Sequence, residues 1–156
     1  VAGKAKQEIV ERHYIRKRWW TQLLSNSKAK SHQHISPNMR AYICVSAGYR
    51  GLEFNYLVGQ NNCGCELYID RGKDSQEENK MIFDKLQLQE STINQKINFP
   101  ISWQRLESKR ASRIRIDLEG GYKSTEDDWG AFHEKMIDAM NELEAAVKPE
   151  LKKLRL

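Results

Sequence analysis

The first element that the hydrophobic pattern predicts is a long helix over residues 6–24. This stretch contains neither proline nor glycine. At about 100° per residue its apolar side chains project into one broad arc, as an amphipathic helix requires. The arc is formed by Ile9, Val10, Tyr14, Trp19, Trp20, Leu23 and Leu24. His13, Arg16 and Lys17 fall within the same arc, so cations are mixed with aromatic side chains on this face.

Alternating apolar and polar residues then predict three strands. The strands are expected over 40–47, 52–58 and 65–70, and the turns between them contain glycine. Parallel strands need a crossover connection, and these turns are too short to hold one. We therefore expect an antiparallel meander with one buried face.

The middle of the chain predicts a second helix followed by two strands. Ser75 and Glu78 have capping-box spacing, and Pro100 ends the helical pattern. The apolar residues of this helix share one face: Ile82, Leu86, Ile93 and Ile97. Two further strands are expected over 101–106 and 111–118.

The last element is a helix whose apolar residues step by three or four positions. They are Trp129, Phe132, Met136, Met140, Leu143 and Val147. Thr125 or Ser124 offers the N-cap, and Pro149 is expected to kink or end the helix. The order α-βββ-α-ββ-α indicates an α+β fold: an antiparallel sheet of about five strands with helices packed on one face.

Composition is typical of one globular domain spanning residues 1–156. The chain has a net charge of +5, 39% apolar residues and three cysteines. No apolar stretch is long enough for a membrane span, so no membrane association is expected. An odd, low cysteine count favours a reducing, cytoplasmic setting. The start lacks an initiator methionine and an apolar leader, which suggests the C-terminal fragment of a longer protein.

Little in the sequence indicates a metal, a cofactor or a nucleophilic catalyst. Cys63 and Cys65 are expected in a turn, and no second cysteine pair accompanies them, so we predict no structural zinc. Neither a nucleophile elbow nor a glycine-rich phosphate loop is present. The fragment alone is therefore not expected to be an enzyme and needs no cofactor.

A metal-dependent nuclease is the enzymatic alternative. Carboxylates on the polar face of the meander, or an acidic pair followed by a lysine, are arrangements that hold a divalent ion and activate water. The two candidate sets are Glu53, Glu66 and Asp70, and Asp74, Glu78 and Lys80. The second set requires Lys80 on a strand, whereas Glu78 is predicted in the first turn of a helix.

Basic residues form the main candidate binding surface. Residues 101–115 contain five Lys/Arg and one acid, and residues 1–40 contain nine Lys/Arg against two acids. Cations neutralise phosphates, and a nearby tryptophan can stack on a base, so this composition favours contact with DNA. The candidate residues are Arg16, Arg18, Trp103, Arg105, Lys109, Arg110, Arg113 and Arg115. The hypothesis requires the strand cations to be exposed without acid partners; otherwise the face is a solvated one balanced by acids.

Several motifs together resemble one family of uncharacterised domains. They are Gly51-Leu52-Glu53-Phe54-Asn55-Tyr56, Glu66-Leu67-Tyr68-Ile69-Asp70-Arg71-Gly72, Glu78 to Leu86, Trp103-Gln104-Arg105-Leu106, Lys109 to Ile114, and Met136 to Glu144. In order and extent they resemble the domain of unknown function 4268 family.

The resemblance implies a prokaryotic accessory domain, often C-terminal to a PD-(D/E)XK nuclease-like or restriction-defence module. It supplies no catalytic residues. The partners it suggests are DNA and an upstream nuclease-like domain of the same chain. A homodimer formed by the aromatic face of the first helix is a third alternative.

Overall fold

The computed structural model describes residues 2–156. In chain order they are α1 (Ala2–Leu24), a 3₁₀ turn (Lys30–His32), β1 (Tyr42–Ser46), β2 (Leu52–Val58), β3 (Asn62–Ile69), α2 (Gln76–Gln87), α3 (Glu90–Gln95), β4 (Ser102–Gln104), β5 (Ser112–Glu119) and α4 (Glu126–Lys153). None of the described helices is long and apolar enough to cross a membrane.

The five strands form one antiparallel sheet in the order β1-β2-β3-β5-β4. Its register places Phe54 beside Leu67 and Leu67 beside Ile114, and all three side chains are fully buried. Alternate residues therefore build a continuous apolar face across three strands. This arrangement confirms the predicted α+β fold.

Helix α4 covers that apolar face and contacts β2, β3 and β5. Trp129, Met136, Met140 and Leu143 are completely buried, and Phe132 packs at the margin. The three- and four-residue steps place these side chains on one side of the helix, so burial of the stripe fixes how α4 lies on the sheet.

Helix α1 is only partly anchored. Trp19, Trp20 and Leu23 are fully buried against the body, and Trp19 packs edge to face on Trp129 with ring centroids 5.1 Å apart. Three members of the predicted apolar arc are about half exposed: Ile9, Val10 and Tyr14. The predicted arc is too broad, because the fully buried side chains all lie near the end of the helix.

The turn between β2 and β3 is shorter than predicted. Cys63 and Gly64 lie inside β3, because the turn closes with a bond from the Gly59 amide to the Asn62 carbonyl at 2.8 Å. A side chain at Gly64 would collide with the Ile116 carbonyl of β5. This glycine permits close strand approach rather than a turn.

The helix predicted between the strands is two helices, α2 and α3, separated at Leu88 and Gln89. The predicted capping box is wrong. The Ser75 hydroxyl donates to the Gly72 carbonyl, and the Glu78 carboxylate pairs with the Arg71 guanidinium at 2.8 Å. The Arg71 guanidinium therefore binds the Glu78 carboxylate, which was expected to bond the backbone at the start of the helix.

Pro149 does not end the last helix, which continues to Lys153. A proline removes one backbone hydrogen-bond donor from the helix. Near the end of this 28-residue helix, burial of the side chains on either side of Pro149 offsets that loss. Val147 and Leu151 are both fully buried.

Candidate functional site

The arginines of the β4–β5 connection are held by carboxylates. Arg110 donates through Nε and Nη2 to both oxygens of Asp70, each at 2.8 Å. Arg105 donates to Asp84 at 2.9 and 3.1 Å and to Glu107 at 2.6 Å. These bonds hold the pKa values of Asp70 and Asp84 below their ordinary range. The required absence of acid partners is therefore not met at Arg105 and Arg110.

Lys80 lies beneath the same connection. It belongs to α2 and is 7% exposed. Its ammonium donates to the carbonyls of Arg105, Leu106 and Ala111 at 2.5, 2.9 and 2.6 Å, and to the Ser112 hydroxyl at 3.1 Å. Burial lowers the pKa of Lys80. Because Lys80 lies on a helix and its hydrogen bonds tie it to the β4–β5 loop, the strand arrangement that the nuclease alternative requires is not formed.

Arg113 and Arg115 project from the face of the sheet opposite α4, which we call the open face. Arg113 Nε donates to Gln104 Oε1 at 2.6 Å, and Arg115 Nε donates to Asp117 Oδ1 at 2.9 Å. The register sets Arg115 beside Glu66, and Arg113 approaches Glu66 at 4.0 Å. Acids therefore balance both arginines, as the alternative interpretation of the strand face expects.

At the centre of the open face, Glu66 is buried together with Asn55. Asn55 Nδ2 donates to Glu66 Oε2 at 2.8 Å, and both residues are about 5% exposed or less. Glu53, Glu66 and Asp70 therefore do not converge on one ion. Among residues 2–156, no three His, Cys, Asp or Glu side chains are grouped in a way that could hold a metal.

The other candidates are dispersed. The Trp103 indole donates to Asn94 at 3.2 Å, and its ring packs edge to face against Phe83. Arg18 pairs with Glu126 on α4 at 2.9 Å. Two remaining cations differ in exposure. The Arg16 guanidinium is half-buried over the Tyr122 ring, whereas Lys109 is exposed and makes no ion pair within the described chain.

A cationic stripe on α1 includes two lysines, Lys6 and Lys17, that were not among the candidate binding residues, although Lys17 was predicted within the apolar arc. Its side chains recur at helical spacing on the side away from Trp19 and Leu23. The stripe consists of Lys6, Val10, His13, Tyr14, Lys17 and Thr21. Glu8 and Glu11, the only acids of α1, project on another side of the helix. A helical projection centred on the buried residues alone would have separated this stripe from the side chains that face the core.

A groove of about 610 Å³ runs beside the stripe, between α1 and the start of α4. Tyr14, Lys17 and Arg18 form one wall, and Glu126 lies opposite. Tyr14 is 55% exposed, so its ring is available for stacking. The groove therefore places an exposed aromatic ring beside two cations.

The buried histidines and cysteines lie in the core rather than at these surfaces. Burial lowers the pKa of His32 and of His133 to about 4. Burial also raises the pKa of the Cys63 thiol to about 12 and that of the Cys65 thiol well above its ordinary value. Neither thiol is therefore ionised near neutral pH.

One comparison with known proteins identifies a relationship. The family model described as "Domain of unknown function (DUF4268)" matches residues 15–151, which is nearly the whole chain. No curated protein and no solved structure matches the chain.

Proposed function

The chain belongs to the DUF4268 family, and we propose that it is a non-catalytic accessory domain that contacts nucleic acid in a prokaryotic DNA-processing or defence protein. The stripe on α1 makes the principal phosphate contacts. The observation that carries the proposal is that the lysines of this stripe have no acid partner among the described residues.

Uncompensated charge supports the α1 stripe over the cations of residues 101–115 as the binding surface. Phosphate binding gains free energy by releasing condensed counterions, and a cation already paired with a carboxylate contributes less to it. Helix α1 contains six Lys/Arg and two acids. By contrast, Arg105, Arg110 and Arg115 would have to leave carboxylates at 2.6–3.1 Å before they bound a phosphate.

Tyr14 gives the stripe a second means of contact. Its half-exposed ring lies one helical turn from Val10 and close to Lys17. Aromatic side chains stack on bases of any identity, and cations beside them track the backbone. We therefore expect single-stranded DNA to bind at least as well as duplex, with little sequence preference.

The proposal is tested by fluorescence anisotropy with labelled single- and double-stranded oligonucleotides over a range of salt. We expect wild-type dissociation constants of about 10⁻⁴–10⁻⁶ M, as for other non-specific complexes. Lys6→Ala/Lys17→Ala should weaken binding and lower the log–log salt slope by about one for each lysine that binds a phosphate. Tyr14→Ala should weaken binding to single strands more than to duplex.

Two double variants locate the DNA-binding surface. Arg110→Ala/Arg113→Ala removes two of the candidate cations of residues 101–115, and Lys96→Ala/Lys152→Ala removes the same charge from exposed sites elsewhere. If the α1 variant binds like the Lys96/Lys152 variant, α1 does not bind the oligonucleotide. If the wild type binds neither oligonucleotide at low salt, the nucleic-acid proposal fails and a protein-binding role takes its place.

A further inference from the structure

Strand β1 forms one free edge of the sheet. The Ala47 amide donates to the Leu52 carbonyl and the Val58 amide donates to the Ala41 carbonyl, both at 2.8 Å. In an antiparallel pair these bonds involve alternate residues. The residues between them, Tyr42, Cys44 and Ser46, therefore direct their backbone N–H and C=O groups away from β2.

This edge lacks the features that usually prevent strand association. Within β1 there is no charged residue and no proline, and its one-to-one register with β2 contains no bulge. Natural proteins protect free edges with such features because unpaired backbone groups are a template for another strand. Among the described residues, one side chain reaches an outward group: Asn38 Nδ2 lies 3.5 Å from the Tyr42 carbonyl.

The opposite edge of the same sheet is protected. Strand β4 is three residues long and begins two residues after Pro100. The Trp103 side chain beside it is tied to Asn94 of α3. Short length, a flanking proline and an adjoining helix are recognised means of blocking an edge. The sheet is thus protected against strand association at its β4 edge and unprotected at its β1 edge.

We propose that β1 pairs in antiparallel orientation with β1 of a second copy of the chain, joining two five-stranded sheets into one. The two-fold axis passes beside Cys44, and Tyr42 of each copy lies opposite Ser46 of the other. An antiparallel self-pair sets each side chain against its symmetry partner, so a charged residue at Cys44 would face its own charge. Strand β1 contains no charged residue, so the self-pair sets no like charges opposite each other.

Exposed apolar side chains support the same occupant. Met39 and Tyr42 are each 39% exposed and lie at the start of the edge. A second copy would bury both of them, together with the unpaired backbone groups, along one strand length. This interface is separate from the α1 stripe, so the proposal does not depend on nucleic-acid binding.

Sedimentation velocity from about 1 to 500 μM tests the association. The strand register supplies a matched pair of variants, because Cys44 and Ser102 lie at the two ends of one cross-strand row through Asn55, Glu66 and Arg115. We expect wild type and Ser102→Lys to form a dimer, and Cys44→Lys to raise the dissociation constant at least tenfold. Circular dichroism checks that each variant is folded. A wild type that stays monomeric, or a dimer that survives Cys44→Lys, would overturn the proposal.

Thiol oxidation gives an independent test that does not depend on a disruptive variant. Two residues that exchange both backbone hydrogen bonds lie about 5.5 Å apart at Cα, within the 4.4–6.8 Å that a disulfide spans. Diamide, which takes up the two electrons and two protons released by the thiols, should link Cys44 of the two copies. We expect a covalent dimer from wild type and from Cys63→Ser, and none from Cys44→Ser. Equal yields from all three proteins, or no dimer from wild type, would contradict the two-fold pairing.

Discussion

The Arg110 guanidinium holds both carboxylate oxygens of Asp70 at 2.8 Å, although forty positions separate the two residues in the chain. Asp70 follows β3, and Arg110 precedes β5. Asn79 of α2 joins the same junction: its amide donates to the Arg110 carbonyl at 3.2 Å, and its Oδ1 accepts from the Arg71 amide at 2.9 Å. The pair therefore joins the end of β3 to the start of β5, and Asn79 ties α2 to the same junction, which gives the arginine a structural role.

Loss of this pair should destabilise the fold by a modest, pH-dependent amount. We expect Asp70→Asn to lower the free energy of unfolding by about 0.2–1 kcal/mol at pH 7, since both partners are partly exposed and solvent screens them. The pKa of Asp70 is depressed in the folded state, so its contribution is present above the ordinary aspartate pKa and is lost as pH falls through the folded value. Urea unfolding at pH 7 and at pH 2.5 should show the difference from wild type shrinking at the lower pH. A difference that is constant with pH would contradict an ionic origin.

Lys80 should matter more, because it bonds three backbone carbonyls at once. Lys80→Met keeps most of the side-chain volume but removes the ammonium beneath the β4–β5 connection. The Ala111 carbonyl then loses its donor, whereas the Arg105 and Leu106 carbonyls keep the Ser112 hydroxyl and the Lys109 amide. We expect a loss of about 1–3 kcal/mol in the free energy of unfolding, because a buried acceptor left without its donor is costly. Lys85→Met, at an exposed position on the same helix, should change stability by less than about 0.5 kcal/mol. Equal effects of the two variants would mean that the Lys80 bonds contribute little.

The core prediction concerns Met140, which is fully buried where α4 crosses the sheet. Truncation to alanine removes apolar contacts and leaves a cavity, so we expect a loss of about 2–5 kcal/mol in chemical denaturation. Lys135→Ala is the matched control, since that side chain is exposed on the same helix. A change within about 0.5 kcal/mol for Met140→Ala would show that the helix repacks without cost.

The elements that hydrophobic spacing specifies were predicted well. The α4 stripe and the alternation in β2 and β5 arise because each of these elements buries one face in the apolar core. The spacing of apolar residues along the chain is therefore enough to predict them. Local sequence patterns predicted the structure wrongly where a residue distant in the chain determines the backbone or side-chain geometry. Gly64 belongs to a strand because Ile116 passes close to it, and Glu78 leaves its expected cap for Arg71.

The candidate site was harder to predict because a sequence gives charges but not their partners. Five cations fall within residues 101–115, yet Arg110 is paired with Asp70, which follows β3, and Arg105 with Asp84 of α2. Conversely, the stripe on α1 is hard to recognise because acids and aromatic residues intervene in the linear order. The burial of Trp19, Trp20 and Leu23 fixes the rotation of the helix and so shows which cations face outward.

His133 lies at the contact between α1 and α4, where it is 2% exposed. Its ring packs edge to face on Trp19 with centroids 4.3 Å apart, and neither ring nitrogen has a hydrogen-bond partner in the described structure. Burial lowers its pKa to about 4 from an ordinary value of 6.5. The folded chain therefore binds fewer protons than the unfolded chain between these two pH values.

Stability should accordingly fall as the pH is lowered from about 6.5 to about 4. A shift of this size corresponds to a loss of about 3 kcal/mol for His133, at about 1.4 kcal/mol per pH unit. His32, whose pKa is also lowered to about 4, adds a similar contribution.

Replacement of His133 by phenylalanine keeps an aromatic ring between the helices and removes the titration. We expect the free energy of unfolding of His133→Phe, measured in urea at pH 7.5 and 4.5, to change less with pH than that of wild type. His13→Phe, a substitution on the outer side of α1, should retain the wild-type dependence, and a His133→Phe profile that coincides with it would exclude His133 as the source.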